Sequence, residues 1–239
     1  MHFRDTPMKS KLIPLVLAFT LASIHMHGDG TADLNADEPA KAVTKDKKDE
    51  KGFKAIFDGK SFAGWEGNED LFRIEEKSVV GGNLKKPIPN NEFLCTKKSY
   101  ANFELRLQAK LIGEGANAGI QFRTKRIPNH HEVSGYQCDM GNMEGRSIWG
   151  SLYDESRRRK FLAHGEKETT EKAFRAGEWN DFVIRCEGTR IQIWLNGVQT
   201  VDYREEEKDI SEKGVIALQI HGGPPSESWY RNVRIREIR

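Results

Sequence analysis

From Phe103 to Leu111 the chain alternates without a break: Phe103, Leu105, Leu107, Ala109 and Leu111 are apolar and every residue between them is polar. A period of two sends successive side chains to opposite faces, so the segment predicts a β-strand with one face in a core. The same alternation returns at 182–186, 191–195 and 198–203. Asn196-Gly197 joins the last two, and suits a two-residue hairpin because both central positions need positive φ. Further strands are expected at 54–57, 71–74, 79–80, 93–96, 120–125, 136–140, 215–221 and 230–238. No long stretch carries a 3.6-residue period, and only 167–174 reads as a short helix or a loop. About a dozen short strands with Gly-rich turns predict an all-β fold: a two-sheet antiparallel β-sandwich of jelly-roll type.

The alternation does not reach the N-terminus. Arg4, Lys9 and Lys11 precede an apolar run from Leu12 to Ile24, shorter than the ~20 residues that span a bilayer. A basic start, a short apolar run and small residues at its end describe a signal peptide over 1–27. Residues 28–51 hold no aromatic side chain and end in a dense charged run, so they read as a disordered linker. The domain is then 52–239. These features predict an exported protein, periplasmic or extracellular, with no membrane anchor after signal cleavage.

Charge narrows the partners. Basic and acidic residues balance in 1–51, so the domain keeps the formal +2 of the whole chain. A mixed, near-neutral surface gives no electrostatic footprint for nucleic acid or anionic lipid. Cys95, Cys138 and Cys186 allow one disulfide at most, but flanking apolar residues suit buried core positions.

Alternation also groups polar side chains. Gln121 with Arg123, Gln137 with Asp139, and Gln219 with His221 are each expected to share one strand face. Short side chains that both donate and accept suit the hydroxyls of a sugar. Trp65, Trp149 and Trp229 are candidates to stack on its apolar faces. Glu207-Lys208-Asp209-Ile210-Ser211-Glu212 has the acidic spacing of retaining glucanases, but lies in a polar run and reads as a turn. Asp154–Lys160 reads as a solvated loop.

Ordered segments across 52–239 resemble the bacterial 3-keto-disaccharide hydrolase family. They include Phe57-Asp58-Gly59-Lys60, Asn102-Phe103-Glu104-Leu105, Asn117-Ala118-Gly119-Ile120-Gln121-Phe122-Arg123, Gly135-Tyr136-Gln137-Cys138-Asp139, Tyr153-Asp154-Glu155, Trp194-Leu195-Asn196-Gly197 and Gln219-Ile220-His221-Gly222-Gly223. The resemblance implies a concanavalin A-like sandwich that cleaves 3-keto-glycosides by removing the C2 proton, expelling the C1 substituent and adding water. It implies a base, an acid, and a cation or hydrogen-bond donors for the enolate oxygen. His221, Glu132 and Asp139 are the candidate base and carboxylates, and Arg123 the candidate enolate stabiliser. Gln121, Gln137, Gln219, Tyr136, Tyr153, Glu155 and Trp149 are candidates to hold a small-molecule or oligosaccharide substrate. His221, Glu132 and Asp139 also have the chemistry of divalent-cation ligands, though no spacing demands an ion. Many family members carry Glu where this chain has Gln137; if that Glu is catalytic there, its work moves to Glu132 or Asp139 here, or activity is lost. The rival readings are a non-catalytic carbohydrate-binding module on the same fold and a sandwich that mediates protein contacts.

Overall fold

The period-two segments become strands because each has one face to bury. The computed structural model describes residues 50–239. In chain order the strands are β1 (Lys54–Ala55), β2 (Trp65–Glu66), β3 (Phe72–Glu75), β4 (Ser78–Asn83), β5 (Glu92–Tyr100), β6 (Phe103–Ile112), β7 (Ala118–Arg126), β8 (Val133–Met140) and β9 (Asn142–Met143). They continue as β10 (Arg146–Ser147), β11 (Leu152–Glu155), β12 (Phe161–Ala163), β13 (Asn180–Glu187), β14 (Arg190–Leu195), β15 (Val198–Arg204), β16 (Gly214–Ile220) and β17 (Ser226–Glu237), with one helix, α1 (Lys167–Ala173).

One sheet has the order β15-β14-β13-β6-β17-β4-β3, with β1 also paired to β17. The other has the order β12-β11-β8-β7-β16-β5-β2, and β9 and β10 form a separate hairpin. Every pairing is antiparallel. Between the sheets, Leu105, Leu107, Phe182, Ile184 and Tyr230 meet Ile120, Phe122, Tyr136, Cys138, Leu218 and Ile220 in one buried cluster. Burying a side chain of this size contributes about 1.5–3 kcal/mol, so the alternating positions specify the sandwich. Asn196 and Gly197 have φ of 49° and 85°, the positive pair that their hairpin needs. All three cysteines are buried and free.

β7 and β8 depart from simple alternation. Their register shifts between Phe122 and Lys125, and Arg123 there takes φ 49°. The bulge turns Arg123 off the face it was expected to share with Gln121 and brings Thr124 onto it instead. Thr124 Oγ1 accordingly donates to Gln121 Oε1 at 2.7 Å.

The expected signal peptide and nearly all of the expected linker lie outside the described residues. The linker's last two positions do not. Glu50 accepts from Arg234 Nε at 2.7 Å and from Arg106 Nη1 at 3.3 Å. Residues 205–213 hold no strand, so the glucanase-like acidic spacing is indeed a turn. No helix among the described residues is long and apolar enough to cross a membrane.

Candidate active site

The outer face of the seven-stranded sheet carries a cavity of about 340 Å³. Its floor comes from adjacent strands: Gln137 and Asp139 on β8, Tyr153 and Glu155 on β11. Direct pairing of Tyr153 with Gln137 sets these two strands in register. Segments that flank the sheet supply the walls: Asn91, Asn117, Glu132, Met143, Ser156, Arg159 and His221.

A chain of amides organises the floor. Gln121 Nε2 donates to Gln137 Oε1 at 2.7 Å, which turns the Gln137 NH2 toward Asp139, to whose Oδ1 it donates. Gly119 is what makes room: a Cβ there would stand 2.3 Å from Gln137 Cδ. The glutamine therefore lies over a glycine and hands one donor to the neighbouring carboxylate.

Two of the carboxyls are held toward their protonated forms. Burial pushes Asp139 well above the usual carboxylate range, with the charge of Glu155 adding to it and the Gln137 bond opposing. Burial, and then the charge of Glu132, raises Glu155 to about 7. Glu132 is held differently, accepting from Asn91 Nδ2 and from Ser156 Oγ, each at 3.1 Å.

His221 stands at the rim, one residue past the end of β16. Its Nδ1 lies 2.6 Å from the carbonyl oxygen of Gly222. A carbonyl can only accept, so Nδ1 carries a proton and Nε2 is the ring nitrogen left to act as a base. Asn91 fixes this corner, because its Oδ1 accepts from Gly222 N–H at 2.9 Å while its amide holds Glu132.

The pocket thus gathers His221, Glu132, Asp139, Gln137, Tyr153 and Glu155 from the expected residues. Others lie elsewhere. Arg123 is 2% exposed and reaches the sandwich end, donating to the carbonyls of Ala101 at 3.0 Å and Gly188 at 2.7 Å. Tyr136 points into the core, stacks on Phe122 at 5.8 Å and donates to Glu205 Oε2 at 2.6 Å. Trp149 is also a core residue, its ring centroid 4.4 Å from that of Phe174. Trp65 and Trp229 are buried as well. Gln121 sits behind Gln137 as a positioning residue. Gln219 is fully buried, does not line the pocket, and neither of its side-chain amide atoms has a hydrogen-bond partner. His221, Glu132 and Asp139 line one cavity, yet among the described residues no group of three or more His, Cys, Asp or Glu is gathered closely enough to hold a metal ion.

Asn91, Asn117, Ser156, Met143 and Arg159 were not foreseen as site residues. Asn117 lay within a quoted motif, and Arg159 within the run 154–160 that reads as solvated loop. Asn91 has no local signal, because its partners are 41 and 131 residues away in sequence.

The family described as "3-keto-alpha-glucoside-1,2-lyase-like domain" matches residues 52–236. The chain belongs to that family. Membership in the 3-keto-alpha-glucoside-1,2-lyase-like family places it among carbohydrate-directed proteins. No curated protein matches the chain. Among solved structures, a "putative glycosyl hydrolase" from Parabacteroides distasonis superposes with TM-score 0.59 at 20% identity, covering 83% of this chain and 99% of that one. The carbohydrate-binding module CBM66 from Bacillus subtilis does so with TM-score 0.56 at 13% identity, covering 73% and 96%. A Bacillus licheniformis β-glucanase follows with TM-score 0.52 at 10% identity, covering 78% and 97%. At such identities the three likenesses speak for the fold alone, a jelly-roll sandwich shared with a glucanase.

Proposed function

We propose that the pocket cleaves 3-keto-glycosides by elimination across C1 and C2, followed by hydration. The observation that carries this reading is the pairing, in one cavity of the family's domain, of a histidine whose Nδ1 is tied to a backbone carbonyl and carboxyls held toward protonation. A ketone at C3 acidifies the C2 proton, which His221 Nε2 removes as general base. Glu155 is the acid that protonates the departing C1 oxygen, and its elevated pKa keeps the needed proton near neutrality. Asp139, Gln137 and Tyr153 face the sugar, and Asn91 with Glu132 holds the His221 corner in place. Water adding across the C1=C2 bond of the enone product gives the free 3-keto sugar, so the sum is hydrolysis. The expected export signal would set this reaction outside the cytoplasm.

A non-catalytic carbohydrate-binding module would use the same fold and the same polar floor. Substituting His221→Ala separates the two readings. The elimination reading predicts a kcat loss on the order of 10²–10⁴-fold with substrate Kd changed by only a few fold. Unchanged turnover in this variant would remove His221 from the chemistry. Weakened sugar binding, in a protein that never turns over, would identify a binding module.

A further inference from the structure

The elimination leaves one charge without a partner. Removing the C2 proton puts a negative charge on the C3 oxygen, in a pocket lined by Glu132, Asp139 and Glu155. An oxyanion formed there needs a cation or strong donors aimed at it. Arg123, the cation expected from the sequence, is occupied at the sandwich end by Ala101, Asn102 and Gly188.

The turn after β11 offers another. Three arginines follow Ser156, and the first two are spent on ion pairs. Arg157 pairs with the buried Asp154 at 2.8 Å. Arg158 pairs with Asp154 as well, and with Glu205 at 2.7 Å and Glu207 at 2.9 Å. At Arg159 the backbone takes φ 52°, and its N–H donates to the Asp154 carbonyl at 2.9 Å. Past that twist its side chain lines the pocket, exposed, with no ion pair among the described residues. Its charge is felt by both Glu155 and Tyr153.

We propose that Arg159 is the catalytic cation that contacts the C3 oxygen of the substrate and carries the charge of the enolate. The assignment rests on the reading of the pocket as a 3-keto-glycoside lyase. The C2–H bond breaks, the proton passes to His221 Nε2, and the bonding pair becomes the C2=C3 double bond. The C3=O π pair moves onto the oxygen that faces Arg159. On collapse C3=O re-forms, C1=C2 forms, the C1–O bond breaks, and the leaving oxygen takes the proton of Glu155. A guanidinium suits the task because it keeps its charge throughout the working pH range and presents a planar fork of donors.

The test uses the full-length chain, its Arg159→Gln and Arg159→Lys variants, and 3-keto-4-nitrophenyl glucoside. Nitrophenol release gives kcat and KM, and exchange of the C2 hydrogen in D2O, followed by NMR, reports enolate formation directly. Arg159→Gln is expected to lose on the order of 10²–10³-fold in kcat. KM should move by less than about threefold, since charge on the oxygen develops only in the transition state. C2 exchange should fall in parallel, Arg159→Lys should recover part of the rate, and Tm should not move because the side chain is exposed. Wild-type kcat and C2 exchange in Arg159→Gln would overturn the assignment, as would a loss confined to KM. A wild-type chain that releases nothing would fell the keto-glycoside reading itself, and Arg159 with it; a wild-type chain as active as its Gln variant would fell only the role of Arg159.

Discussion

Glu155 ties the chemistry to pH. Its folded-state pKa, about 7, lies above the ordinary glutamate value because burial, and then Glu132, disfavour its charge. The folded protein therefore holds a proton that the unfolded chain has released between about pH 4.5 and 7. Stability from this group is whole below about pH 4.5 and is lost as pH rises through 7, and buried Asp139 adds in the same direction. The share of Glu155 alone is at most about 3 kcal/mol. Glu155→Gln should flatten this fall in a pH series of urea melts, and should also abolish the alkaline loss of kcat/KM near pH 7 that an acid of this pKa imposes. A second prediction concerns Gly119. Gly119→Ala places a methyl group where Gln137 now lies, so it should break the Gln137–Asp139 bond and cut kcat at least tenfold or so, while CD still reports a folded sandwich. Gln219 makes a third: replacing a buried, partnerless amide by an apolar side chain of similar volume is neutral or stabilising, so Gln219→Met should keep turnover and raise stability by about 1 kcal/mol in denaturant melts.

At the scale of elements, β11 and the turn that follows it carry Tyr153, Glu155, Ser156 and Arg159. Asp154 anchors that turn: its side chain is fully buried and clamped by Arg157 and Arg158. Removing one partner of a buried ion pair leaves the other charge uncompensated. Arg158→Ala should accordingly cost about 3 kcal/mol in thermal or urea unfolding, and lower activity through the displaced turn; a loss under about 0.5 kcal/mol would contradict this role. Nothing in the sequence marked β11 as a strand, because its inward position after Leu152 is the charged Asp154 and the five residues after Glu155 are charged or polar. The long strands β6, β7, β8 and β16 were legible because one face of each meets the core. The bulge at Arg123 was not. Local alternation around Ile120 and Phe122 is intact, and only the pairing with β8 and β16 reveals the extra residue.

At the scale of the whole molecule, the two sheets divide the labour. The eight-stranded sheet closes the core, while the outer face of the seven-stranded sheet holds Gln137, Asp139, Tyr153 and Glu155 in fixed register. Fold and family followed from alternation and from ordered motifs spanning the domain, both of which are properties of contiguous sequence. The site was legible only where its residues lay on those strands. Tyr136 and Trp149 looked suited to a sugar by residue type, yet their rings are needed in the core; Asn91 and Arg159 reach the pocket from segments with no period at all. The most direct test of the account is the rate at which the purified full-length chain releases the aglycone from 3-keto-glucosides and from their unoxidised parents. Elimination requires release from the keto substrates alone, because only a C3 carbonyl acidifies the C2 proton. Equal release from both, or from the unoxidised glucosides only, would contradict elimination and point to direct glycosidic hydrolysis by the pocket's carboxyls.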